Sequence, residues 1–220
     1  MAVGECTYCL TPAELTADHV PPKVLLAKPY PTNYPTVPSC VECNRSFQKD
    51  DDYTASVIPM DIRALSNPVA RQRVLTVIRS MGRPNAAGFI AYLARQRSPS
   101  RVLGATGEPL GALVDVDRSR VDATVRHIVR GLFRYEAKRS LPLSADILVG
   151  GTPGFDPNDS VFRQFQRIYE TWPERRSGEV GPGFSYATSY GHGYSVWFLL
   201  LYGYFPWIVF VSENEPLPRP

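Results

Sequence analysis

Cysteine is scarce in this chain, at 4 of 220 residues, and histidine is scarcer, at 3. Four cysteines cannot staple a chain of this length, so a disulfide scaffold is excluded. No internal repeat and no low-complexity block is present. The 21 prolines and 16 glycines make up about 17% of the residues, below the ~25–30% of low-complexity sequence. The segment from Met1 to Cys6 has no basic start and no apolar stretch. It does not read as a signal peptide, and a cytoplasmic location is the expectation. Hydrophobic residues are 44%, charged residues 20% and aromatic residues 11%. That mix excludes disorder across the whole chain and supplies material for a core. The length suits one domain or one and a half.

Charge is unevenly placed. The net +3 hides 15 basic and 6 acidic residues between positions 61 and 139, flanked by two acidic thirds. Fourteen of those 15 basic residues are arginine, whose fork-shaped guanidinium suits phosphate. A solvated helix surface would have a similar composition.

Hydrophobic spacing predicts helical stripes at Val57–Leu65, Val69–Met81 and Phe89–Leu93, then a helix over about 118–138. The Ser/Pro/Gly-rich stretch 99–110 reads as a loop, with short strands at 112–116 and 147–149. Phe162, Phe165, Ile168 and Tyr169 predict another helix, capped by Asp159 or Ser160. Tyr194–Val211 is uncharged over 18 residues, the length that raises a membrane span. Gly203 and Pro206 interrupt it, and its aromatic and β-branched residues favour strands. The expectation is a meander over 184–190, 194–202 and 207–212, with turns at Gly191-His192-Gly193 and Gly203–Pro206. Both faces of these strands read as apolar, so helices or a second subunit must cover them, and a homodimer is one expectation.

All four cysteines fall in two CxxC pairs, Cys6/Cys9 and Cys40/Cys43, with 30 residues between the pairs. Each pair can present two thiolates to one ion, and together they complete a closed, structural four-cysteine zinc site. Two disulfides or a redox pair are the other uses of such spacing. A redox pair calls for a βαβ context, which this stretch lacks. Between the pairs lies Asp18-His19, followed by Pro21-Pro22, and Asn44 follows Cys43 directly. The second pair should lead straight into a helix at 41–50, with Asn44 in its first turn. The two prolines should end a strand at Asp18-His19, so that both side chains can reach one site.

An Asp-His pair framed by two CxxC knuckles and closed by Cys-Asn resembles the HNH endonucleases. The likeness is to their four-cysteine branch, the treble-clef ββα-metal type that includes phage endonuclease VII. It covers about residues 5–50. It implies a zinc-held, treble-clef HNH nuclease module at 1–55, and the hydrophobic patterning adds a helix-rich α+β domain of unrecognised type at 56–220 that ends in the antiparallel meander, for an α+β chain overall. It also implies magnesium or manganese held by Asp18 and Asn44, with His19 as the general base. The activity implied is hydrolysis of phosphodiester bonds in DNA, RNA not being excluded, to leave 5′-phosphate and 3′-hydroxyl ends. Lys23, Arg45, Arg71, Arg73 and Arg79 are candidate phosphate contacts, with Arg83, Arg95, Arg97 and Arg101 in the same basic stretch. Most HNH motifs carry a middle Asn on the second strand. Here Asn33 and Thr36 are the residues available for that place. Asp50-Asp51-Asp52 reads as a solvated helix start, His127 as a structural histidine on an apolar helix face, and His192 as a turn residue. A zinc-held binding or partner-sensing protein without catalysis is the alternative function.

Overall fold

A computed structural model describes residues 3–103, 106–107, 109–151, 160–214 and 216–217. The proposed cap Asp159 lies outside them.

The cysteine-rich end is built by three short strands and a helix. Strands β1 (Val3–Glu5), β2 (Pro12–His19) and β3 (Thr36–Cys40) form an antiparallel sheet in that order. β2 stops at His19, just before the two prolines that lack a donor for the ladder. His19 pairs across the ladder with Thr36. Helix α1 (Val41–Val57) then begins directly on Cys40, whose sulfur caps it by accepting from the Cys43 amide. α1 runs beyond the expected 41–50, and residue 55 lies within it. The expected Val57–Leu65 stripe resolves into the end of α1 and two 3-10 turns, Ile58–Met60 and Ile62–Ser66. Pro59 interrupts the regular helix there.

Helix α2 (Pro68–Met81) is capped by Asn67, which accepts from the amides of Val69 and Ala70, with Pro68 at its first position. Helix α3 (Ala87–Arg95) follows. The stretch 99–110 is not simply a loop, because β4 (Arg97–Leu103) and β5 (Pro109–Val114) form a two-stranded hairpin. Its register shifts between Arg97 and Arg101, an irregularity that weakens the alternating signal a strand leaves in sequence. Helix α4 (Arg118–Ala137) matches its predicted span.

β6 (Asp146–Gly151) and α5 (Ser160–Thr171) precede β7 (Glu174–Val180), β8 (Phe184–Gly191), β9 (Tyr194–Leu201) and β10 (Phe205–Ser212). These strands make a five-stranded antiparallel sheet in the order β6-β10-β9-β8-β7. The expected meander is its centre. His192-Gly193 sits at positive φ in a two-residue hairpin turn, and Tyr202-Gly203 sits at positive φ in the three-residue connection of β9 to β10. One sheet face, with Trp197, Leu199, Leu201 and Val209, joins Val125, Ile128, Val129 and Leu132 of α4 in the main core. The other, with Val196 and Ile208, is covered by Phe165 and its neighbours on α5. Helices of the same chain therefore cover both faces. Among the described residues no helix is long and apolar enough to cross a membrane.

The two ends of the chain share the main core. α4 passes so close to the end of β2 that a Cβ on Gly131 would come within 2.5 Å of a Val20 methyl. From the far sheet, the Tyr202 hydroxyl donates to the Leu25 carbonyl at 2.5 Å. Each fully buried Leu or Phe in such a core contributes ~1.5–3 kcal/mol.

Candidate functional site

Two sites are built on the same strand-helix unit. In the first, Cys6 and Cys9 come from the turn between β1 and β2, and Cys40 and Cys43 from the junction of β3 with α1. Their four sulfurs lie within 4.8 Å of one another, and those of Cys9 and Cys40 are 4.0 Å apart. A tetrahedral zinc with bonds of ~2.3 Å sets its sulfurs ~3.8 Å apart. All four cysteines are free, and the spacing is far from the ~2.05 Å of a disulfide. This cluster can hold a zinc ion.

Backbone amides already serve the sulfurs. Tyr8 and Cys40 N–H groups donate to Cys6 Sγ, and the Cys43 N–H donates to Cys40 Sγ. Burial pushes the Cys6 thiol up, but amides around it outweigh burial and bring it down to about 6. Burial and the neighbouring sulfurs of Cys40 and Cys9 push Cys43 up. Binding a cation would therefore displace a proton.

The second site is a cleft of about 270 Å³ at the end of β2. Asp18, His19 and Asn44 all line it, with Lys23, Gln48, Asp51 and Asp52. Asn44 stands in the first turn of α1, and its amide nitrogen donates to Thr16 Oγ1 at 3.4 Å. His19 packs edge-on against Tyr34. Burial and nearby Lys23 push its imidazole down, against the pull of Asp18. This environment favours the neutral imidazole.

Asp18 is held from two sides. The Tyr8 hydroxyl donates to its Oδ2 at 2.5 Å, and His127 Nε2 lies 2.8 Å from the same oxygen. Burial and the Asp18 charge push the Tyr8 phenol up, so it stays a donor. His127 Nδ1 meets Asp51 Oδ2 at 3.2 Å. The imidazole ring stacks on Phe47 with centroids 4.0 Å apart. Burial opposes its charge, but hydrogen bonds to Asp18 and Asp51 win and raise it to about 9. An imidazolium therefore bridges two buried carboxylates at neutral pH. Pairing of this kind is what makes buried charge tolerable.

This corrects the reading of Asp50-Asp51-Asp52. The three lie inside α1, and Asp51 is buried. Asn44, Phe47 or Gln48, and Asp51 recur at helical spacing, which puts Asp51 on the inward face. Asp50 instead pairs with Arg120 at 2.8 Å. His127, read as structural, is buried as expected, yet it also touches Asp18. Sequence reasoning misses both its tie to Asp18 and that of Tyr8. The available signal is a titratable residue among Val125, Ile128 and Val129 on the buried stripe of α4.

Of the candidate phosphate contacts, Lys23 lines the cleft and Arg73 lines a neighbouring groove. Arg45, Arg71 and Arg79 are exposed and line neither. Arg83 shares the groove with Arg73. Arg95 closes the last turn of α3, and the side chains of Arg97 and Arg101 lie outside the described residues. Arg126 and Arg130 donate to the carbonyls of Ile147 and Pro142, so they tie α4 to the chain before and within β6. Thr36 faces His19 in the ladder, and Asn33 lies in the loop before β3.

No protein-family model, curated protein or solved structure matches the chain.

Proposed function

We propose that this chain is a metal-dependent endonuclease of the HNH type, built on a zinc-held treble clef, that hydrolyses phosphodiester bonds in DNA. The observation that carries this reading is the meeting of Asp18, His19 and Asn44 on one cleft beside the four-cysteine cluster. The order of strand, strand and helix, with the Asp-His pair at a strand end and Asn44 one turn into the helix, supports it.

The donor set fits a hard cation such as magnesium. Both contacts to Asp18 fall on Oδ2, and a carboxylate has lone pairs for more partners. Asn44 commits its nitrogen to Thr16, which leaves its oxygen to serve as a ligand. A divalent ion held by Asp18 and Asn44 would stabilise the charge that builds on the phosphate and the departing 3′ oxygen. His19 takes a proton from the attacking water. The resulting hydroxide forms the new bond to phosphorus as the bond to the 3′ oxygen breaks. Tyr8 and His127 fix the Asp18 carboxylate by their two contacts to Oδ2. Lys23, at the cleft wall, can meet a phosphate oxygen.

One observation favours the alternative of a zinc-held nucleic-acid-binding protein without catalysis. Asp18 is buried, and its Oδ2 is already occupied by two partners. A cleavage assay with magnesium on single-stranded and duplex DNA and on RNA separates the two. The wild type should cut, and His19→Ala should slow cutting by ~10²–10⁴-fold with zinc content unchanged. Equal cutting by His19→Ala would remove the proposed base. No cutting of any substrate would leave the binding reading in place.

A further inference from the structure

We infer that the groove beside the cleft binds an unpaired nucleic-acid strand and leads it to His19. This rests on the nucleic-acid part of the function proposed above, but not on cleavage. The groove, of about 610 Å³, runs between α1, α2 and the start of α4. It is contiguous with the cleft, since Val24 and Asp52 line both.

Its walls combine the two features that single strands require. Lys49, Arg73, Arg83 and Arg120 line it, against one carboxylate, Asp52. The Nε of Arg73 is buried and has no hydrogen-bond partner among the described residues. A buried donor without an acceptor is costly, and a phosphate oxygen would satisfy it. Arg120 has a different role. It is paired with Asp50 and lies over the Tyr53 ring, 4.4 Å from its centroid. Beside it, Phe89 is half-buried in the groove wall. A held guanidinium plane and an aromatic ring are platforms on which bases stack. A duplex keeps its bases stacked on each other and cannot offer one to a recessed ring. An acidic peptide would satisfy the cations but would have no use for the flat surfaces.

The test is fluorescence anisotropy of a fluorescein-labelled oligothymidylate with the full chain carrying His19→Ala, without added divalent ion. The oligomer should bind more tightly than a duplex of equal length, and polyglutamate should not displace it. Phe89→Leu should weaken binding by about tenfold with the salt dependence unchanged. Arg83→Ala, at an exposed position, should lower the slope of log K against log salt by about 0.7. Arg175→Ala, on the exposed edge strand β7, should change neither. Tighter binding of the duplex, displacement by polyglutamate, or an unchanged salt slope in Arg83→Ala would overturn the inference. Binding that follows these rules in a protein that never cuts would remove the nuclease and keep the groove. Cutting by the wild type with no such binding would do the reverse.

Discussion

The two sites on the β2-β3-α1 unit differ in where their parts come from. The sulfur site is made of four identical donors, all within residues 6–43 and all within 4.8 Å of one another. The cleft is open and chemically mixed, and its central carboxylate is held by a histidine 109 positions away in sequence. A closed set of local donors can be recognised from spacing and needs little else. A buried carboxylate needs polar partners from the rest of the fold, here His127 from α4.

That contrast can be broken most severely at the sulfurs. Cys40→Ser, or stripping of zinc by a strong chelator, should unfold the N-terminal unit, because structural zinc supplies ~10–16 kcal/mol in small modules. Circular dichroism with zinc analysis reads the outcome. Withdrawal of magnesium alone should leave the fold intact. Next in size is His127→Ala, which leaves Asp18 and Asp51 buried without their common partner. A loss of about 3–5 kcal/mol is expected from denaturant midpoints. If this variant is as stable as the parent, the imidazolium bridge has no energetic role.

The same bridge predicts a pH dependence in zinc-loaded protein without magnesium. The charged groups facing His127 are Asp18 and Asp51, with the Tyr8 phenol beside them. Its folded pKa, about 9, is above the ordinary value of 6.5. The stabilisation is therefore complete below the unfolded pKa and is lost as pH rises through about 9. Wild-type stability should fall across that range, and His127→Ala should lack this component. Gly131→Ala is a packing test of the same junction. Its methyl group would collide with Val20, at a cost of about 1–3 kcal/mol. Asn44→Ala should have the smallest effect on stability, within about 1 kcal/mol, since it removes one long hydrogen bond. Its effect on cleavage should be far larger than its effect on the melting temperature.

Much of this fold is legible in the sequence because its signals are local. The stripes of α2, α4 and α5 repeat at helical spacing, and the turns of the meander carry glycine. β7 gives no such signal. It is an edge strand whose residues are mostly polar and exposed, with only Val180 buried at its end, so hydrophobic alternation is absent. β4 is obscured by Ser98-Pro99-Ser100 and its shifted register. The cysteine cluster can be read from spacing alone. Asp18, His19 and Asn44 can be named from their order, but their surroundings cannot. Asp51 looks solvated in sequence because three consecutive acids usually are, and only the packing of α1 against α4 turns it inward. Tyr8 sits inside the first CxxC pair, where nothing in the local pattern marks it as a partner of Asp18.

Manganese binding to the zinc-loaded protein, followed by electron paramagnetic resonance, tests the central claim most directly. The account predicts a bound ion at the cleft that is lost in Asn44→Ala while zinc and the fold remain. Manganese that does not bind, or that binds equally well without the Asn44 amide, would contradict it.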